Sequence, residues 1–336
     1  MRPSRGVAAS WAGIALVVAT ASGCADPIAF CEGGRYEQTL SGQGCTFPAA
    51  RVNAAGIPRC PAHAPFGDLA SEAVVCAEDE PTRDEICAEI GRANAEACGL
   101  GVALADPGCL AAITLDSLTC DGLTNLCGGQ RLSTSGALGV VDGGECAGGI
   151  AFPELPGTPG FMGTKLSAMG WPQFGGGGGG LELELEMRVT ITAEPPARPD
   201  GEVGNYATLF EQPNNQFGIG LVRRVGDRGP HFAVGLGRCG AGLPARSAVD
   251  PREVPLHTPM VVRAGVRANL DVWIDSGAGE IVGTSADCSP SLTDAAGFVV
   301  GPFTGILEHL VVRRVGGPVM PPPMPPPMCI PPMCPP

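Results

Sequence analysis

The sequence predicts an all-β sandwich over residues 147–315, preceded by a small disulfide-rich, partly α-helical module. Three observations predict it. The stretch Leu181-Glu182-Leu183-Glu184-Leu185-Glu186-Met187-Arg188-Val189 alternates with period two, the pattern of a strand with one buried face. Further strand-like runs follow at Tyr206–Glu211, Phe217–Arg224, His231–Leu236, Met260–Arg267, Leu270–Asp275, Glu280–Gly283 and Ile306–Val315, set off by Gly, Pro, Asn or Asp. Residues 24–146 hold ten cysteines besides Cys24, whereas 147–315 hold only Cys239 and Cys288. A small module with too little core is stabilised by disulfides in this way.

The chain opens with Arg2 and Arg5, then an uncharged run from Gly6 to Gly23 built on Ile14-Ala15-Leu16-Val17-Val18-Ala19. That is the positive n-region and apolar h-region of a signal peptide. It is shorter than the ~20 apolar residues a membrane-spanning helix needs. The run ends in Ala21-Ser22-Gly23-Cys24, which resembles the bacterial lipobox. The resemblance implies that residues 1–23 are a lipoprotein signal peptide and that Cys24 carries the lipid. It also implies an exported protein anchored at the outer membrane or cell surface. Two or three acyl chains anchor stably where one is marginal.

Reserving Cys24 for lipid leaves 14 of the 15 cysteines, an even set that can all pair in an oxidising compartment. Zinc would want close CxxC or HxxxH spacings, which this chain lacks. The formal charge of −13 becomes −15 without Arg2 and Arg5, a balance that excludes a nucleic-acid partner because phosphate binding depends on Lys and Arg.

Within the module (24–146), Cys76, Cys87, Cys98, Cys109 and Cys120 stand 11 residues apart, so i and i+11 share a helix face. Pro81-Thr82-Arg83-Asp84-Glu85 reads as a helix start, and that helix runs through Cys98 to stop at Gly99. A second helix is expected from Pro107 to about Cys120. An antiparallel hairpin of the two would pair Cys87 with Cys120 and Cys98 with Cys109, one arrangement among the 15 that six cysteines allow. The feature resembles the helical hairpins of twin-Cys proteins.

In the β region, the order of elements is similar to laminin-G-like, concanavalin A-type jelly rolls. The resemblance is carried by the strand at Leu181–Val189, the segment Thr258-Pro259-Met260-Val261-Val262-Arg263-Ala264-Gly265-Val266-Arg267, the hairpin Leu270-Asp271-Val272-Trp273-Ile274-Asp275-Ser276-Gly277, and the closing strand Phe303–Arg313. It covers 147–315. That family usually has a Trp-His pair before the central strand, and here His257 stands without the Trp. The resemblance implies a jelly-roll sandwich and a binding role toward a glycan or a surface protein.

Three sets of residues bear on chemistry. Lectin-type sites combine an aromatic platform with Asn or Asp hydrogen bonds, and Asn205, Tyr206, Asn214 and Asn215 lie near expected loops. No cofactor is expected; calcium would be compatible with such a site, although no carboxylates show calcium spacing. Trp273 falls on the face of Asp271 and Asp275, opposite Val272 and Ile274. Glu182, Glu184 and Glu186 point one way from a single strand, as the alternating carboxylates of glucanases on this fold do. Catalysis through a carboxylate pair on polysaccharide is therefore the alternative to binding, and a structural envelope protein without ligand is the third reading. No residue is assigned a catalytic role.

Other features carry less. Gly235-Leu236-Gly237-Arg238-Cys239-Gly240 fits GxGxxG, but Ala241-Gly242-Leu243-Pro244 offers no helix to follow it, so a loop is expected. Gly175–Gly180 lacks the Gly-Lys-Ser/Thr of a phosphate loop. Cys239 and Cys288 are expected to pair within the β region, closing about 50 residues for ~4 kcal/mol in the chain-entropy model. Residues 316–336 are a Pro/Met/Cys-rich disordered tail that favours polyproline helix.

Overall fold

A computed structural model describes residues 30–70, 73–118, 120, 122–127, 129, 131–143, 146, 148–153, 163–168, 182–197, 207–212, 217–238, 244–285 and 297–315. Ahead of the helix lie β1 (Arg35–Gln38), β2 (Gln43–Pro48), β3 (Phe66–Ala70) and β4 (Ala73–Ala77). Helix α1 (Glu80–Ala95) follows. After it come β5 (Cys109–Thr114), β6 (Leu123–Thr124), β7 (Arg131–Ser135), β8 (Gly139–Asp142), β9 (Gly148–Phe152) and β10 (Lys165–Ala168). The chain continues with β11 (Glu182–Ile191), β12 (Ala207–Glu211), β13 (Phe217–Val222), β14 (His231–Arg238) and β15 (Pro244–Glu253). It closes with β16 (Pro259–Val266), β17 (Val272–Asp275), β18 (Ile281–Val282), β19 (Thr284–Ser285), β20 (Phe298–Val300) and β21 (Gly305–Val315).

Among the described residues these strands form three sheets. A four-stranded sheet runs β1-β2-β4-β3. A nine-stranded sheet runs β19-β15-β14-β13-β12-β20-β10-β7-β6. An eight-stranded sheet runs β18-β17-β16-β11-β21-β9-β8, with β5 also paired to β21. The two larger sheets enclose one core. Leu183, Leu185, Met187, Val262, Ala264, Ile274 and Val312 of one meet Leu166, Phe210, Phe217, Phe232, Val234 and Phe298 of the other. The protein is an all-β sandwich with a disulfide-rich, partly helical module.

Alternation dictates which side chains enter that core. On β11 the Leu and Met positions are 0–1% exposed, while the Glu positions between them face outward. The outcome follows from period two, because successive side chains leave a strand on opposite faces.

Helix α1 begins where the sequence marks it. The Asp79 carboxylate caps the first turn by accepting from Thr82 N at 2.8 Å, and Pro81 and Glu80 suit a turn with free N–H groups. A wide turn through Glu96–Leu100 follows, with Gly99 at φ 95° where a side chain would be strained. The helix buries Ile86 and Cys87 against Ala70, Val75 and Ala77 of β3 and β4.

The second expected helix is a strand. Cys109–Thr114 is β5, which pairs antiparallel with β21 from His309↔Thr114 to Arg313↔Cys109. Ala111 and Ile113 enter the sandwich core, while Ala112 is buried on the opposite side with Leu104 and Leu126. Burial on both faces produces an unbroken apolar run, and such a run has no strand period to read. Strands on both sides of residue 147 therefore share the two large sheets.

The disulfides follow the strand rather than the hairpin. Cys87 pairs with Cys120 as the hairpin arrangement has it. The expected Cys98–Cys109 bond is corrected: Cys98 joins Cys146 and Cys109 joins Cys127. With Cys109 in β5, the expected helix from Pro107 is not there to bring it opposite Cys98. Cys31–Cys45 and Cys60–Cys76 complete the described set. The GxGxxG segment also departs from expectation, since Gly235–Arg238 is the end of β14, not a loop.

Candidate functional site

The outward face of β11 and its neighbours carries a run of paired charges. Glu184 sits opposite Arg313 of β21, and the guanidinium donates from Nη2 at 2.9 Å and Nε at 3.2 Å. Glu186 sits opposite Arg263 of β16, which donates from Nε at 2.8 Å. Nε2 of His309 lies 3.4 Å from the other Glu186 oxygen. Glu182 accepts from the backbone N of Ala268 at 3.2 Å. Arg188 pairs with Glu308 at 2.7 Å. Glu308 reaches it because the ladder slips there: Arg188 faces His309 and Val189 faces Leu307, leaving Glu308 as the extra residue of a bulge.

This pairing sets the electrostatics. Burial raises the Glu186 carboxyl, but the hydrogen bond and charge of Arg263, helped by His309, outweigh it and hold the group below the usual carboxylate range. Burial pushes the His309 imidazole down, against the pull of Glu186 and Glu308 and with a further push from Arg188. The Glu184 pair pushes the Arg313 guanidinium up. A retaining carboxylate pair needs one member that keeps a proton until it is delivered. Glu186 is held ionised by Arg263, and Glu184 is paired with Arg313. The ladder is a set of matched charges.

One side of this face has a wall. Val311, in the same row as Glu186, is 6% exposed because Ala95, Leu104, Ala112 and Leu126 pack on it. Behind that cluster, Asn125 takes the place of a strand partner for β5. Its side chain accepts from Ala112 N at 2.9 Å and donates to Leu110 O at 3.0 Å. Arg92 of α1 donates to Leu126 O at 2.9 Å and 3.1 Å. The segment leading into β5 runs beside the end of β21, where Arg314 N donates to Gly108 O at 2.8 Å. The module thus stands on β21, and β11, β16 and β17 form an open shelf beside it.

Trp273 lies on that shelf, half-buried, paired with Gly265 on one side and Val282 on the other. A Cβ placed on Gly265 would come within 2.7 Å of the indole Nε1. The sequence places Trp273 with Asp271 and Asp275; in the structure Asp275 stands opposite Arg263, while Asp271 lies ahead of β17 and pairs with Arg246 of the other large sheet. Sequence reading did not single out Arg263, Arg313, Glu308 or His309. The signal was present in the alternating strand-like runs that contain them, but only the register brings them opposite β11.

The ligand-binding candidates Asn205, Tyr206, Asn214 and Asn215 lie outside the described residues, as do Cys24, Cys239, Cys288 and Gly175–Gly180. Among the described residues no three His, Cys, Asp or Glu side chains are grouped to hold a metal ion. No described helix is long and apolar enough to cross a membrane.

No family model matches the sequence, and no curated relative matches it either. Among solved structures, the chain is similar to the binding domain of Paraclostridial Mosquitocidal Protein 1, at TM-score 0.39 and 10% identity, covering 62% of this chain and 48% of that one. It is also similar to the binding domain of botulinum neurotoxin DC in complex with rat synaptotagmin II, at TM-score 0.41 and 7% identity, covering 62% of this chain and 47% of that one. The chain therefore spans about half the length of the solved chains it resembles.

Proposed function

We propose that this is an exported lipoprotein, tethered through Cys24, whose sandwich holds a glycan or another surface protein outside a membrane. The observation that carries the binding reading is the shelf beside the module. Its glutamates are locked to Arg263 and Arg313 in fixed pairs, an arrangement suited to presenting donors and acceptors and unsuited to passing protons. The five disulfides among residues 31–146 support the exported reading, because such bonds persist in oxidising compartments. The signal-peptide pattern and the lipobox resemblance at Cys24 support the anchor.

The test is a glycan array probed with the full mature chain, alongside pull-down from intact cell envelopes. Retention of a defined glycan or of one envelope protein is expected. A chain that retains neither at high loading sinks the binding reading. For the anchor, mass spectrometry of the N-terminal peptide is expected to show acyl mass on Cys24, and a Cys24→Ser variant that stays in the membrane fraction counts against it.

A further inference from the structure

The row of residues that crosses the shelf is Val282, Trp273, Gly265, Glu184 and Arg313, one from each of β18, β17, β16, β11 and β21. Its middle position has no side chain. The indole therefore leans over Gly265 instead of standing against a neighbour, with Nε1 and Cε2 the nearest ring atoms to the glycine. Among the described residues the one cation–π contact is Arg51 over Phe47, so no guanidinium caps the Trp273 ring. Val282, 44% exposed, borders the ring on the side away from Gly265.

Charges surround the ring, and each already has a partner. Arg263 is bound to Glu186, Glu184 to Arg313, Arg267 to Glu280 and Asp271 to Arg246. Asp275 accepts from Gly277 N at 2.7 Å and Gly279 N at 3.1 Å. A charged ligand would have to break one of these pairs. An uncharged polyol would not, because its hydroxyls donate to the remaining carboxylate lone pairs and accept from the remaining guanidinium N–H groups. A flat apolar ring ringed by oriented polar groups is the chemistry that holds the apolar face of a sugar ring.

We infer that Trp273 is the stacking platform of a subsite for an uncharged pyranose, with Glu184, Arg263 and Arg267 oriented around it and the module as the wall that stops the sugar chain. This deepens the binding reading and rests on it. It places the sugar contact on the sheet face, at Trp273.

The experiment titrates the full mature chain with soluble neutral oligosaccharides (laminarin, xylan and mannan fragments) and with a sulfated glycan, read by calorimetry and tryptophan emission. Parent binding to a neutral fragment is expected to weaken about tenfold, or ~1.4 kcal/mol, in Trp273→Ala. Trp273→Phe keeps a platform and is expected to stay within about threefold of the parent. Should Trp273→Ala lower the melting temperature, the rim variant Val282→Asp is the reporter and is expected to weaken binding with unchanged melting. Neutral-glycan binding that is undiminished in a folded Trp273→Ala or Val282→Asp chain overturns this proposal alone. Binding confined to the sulfated glycan overturns it too. No binding of any glycan by the parent overturns the glycan reading and this subsite together.

Discussion

Gly265 and Trp273 face each other across β16 and β17, and the glycine leaves room that the indole takes. A methyl group there would press on the Leu183 carbonyl oxygen of β11 and stand 2.7 Å from Nε1. Gly265→Ala is therefore expected to displace the ring and cost about 1–3 kcal/mol, the range for forcing atoms into a packed site. Urea unfolding measures the cost, and a shift in Trp273 emission reports the displaced ring. The Leu183 carbonyl alone would lower the midpoint, so emission decides: an unchanged Trp273 emission would show that the ring is not held against the glycine.

Acid is expected to loosen the shelf in two stages. Both His309 and Glu186 have folded pKa values below their ordinary ones, 6.5 and 4.5. Each group therefore binds its proton more readily in the unfolded chain, so stability rises with pH through each window. The His309 contribution is complete above about 6.5 and is lost as pH falls through its lower folded value. The Glu186 contribution is complete above about 4.5 and is lost further down. Urea midpoints from pH 8 to pH 3.5 trace the decline, and His309→Gln is expected to remove its first stage. A midpoint flat from pH 7 to pH 5 contradicts the His309 assignment.

The Cys98–Cys146 bond spans 48 residues and encloses β5, β6, β7 and β8, the strands that the module lends to the two large sheets. Replacing both cysteines with serine is expected to cost ~4 kcal/mol by freeing that loop in the unfolded chain. Guanidinium unfolding of the purified double variant checks the figure. A loss below about 1 kcal/mol would mean that β5 and its Asn125 clamp hold the loop without it.

Leu104 covers Val311 at the foot of the wall. Leu104→Ala is expected to cost about 2–3 kcal/mol, with the lost transfer energy enlarged by the cavity left behind. Because Leu104 packs in the cluster behind Val311, glycan affinity in the folded variant is expected to stay at the parental value. Affinity that falls in step with stability would place Leu104 itself in the sugar contact.

The sandwich was legible wherever one face was buried and the other wet. Leu181–Val189 shows this best, and β11 occupies nearly that span. It was illegible in β5, because Leu-Ala-Ala-Ile lies between the core and the module and has no wet face to break the run. It was also illegible in β15, where Pro251 and several charges argue against a strand. There the ladder with β14 slips, Glu253 facing His231 and Val249 facing Ala233, and proline is tolerated in the bulge between them. The Cys98–Cys146 bond could not be read from spacing, since tertiary pairing and not helix periodicity brings those residues together. The carboxylate ladder was visible in the sequence, but its partners lie 77 and 129 residues away, at Arg263 and Arg313. That distance is why the ladder suggested catalysis before the register showed matched pairs.

β21 is the last described strand, and it pairs with β11, β9 and β5. The ribosome delivers it after every other described strand. Until residues 305–315 arrive, the inner edge of β11 and the whole of β5 have no ladder partner there, and the module has no floor. The parent fold is thus a late-closing one, dominated by contacts between distant parts of the chain, which form slowly. A product ending before Gly305 would carry its glutamate strand paired on the β16 side alone and its wall without a floor. The strand at 305–315 is in this sense an inspection step: it certifies that the strands it joins are present.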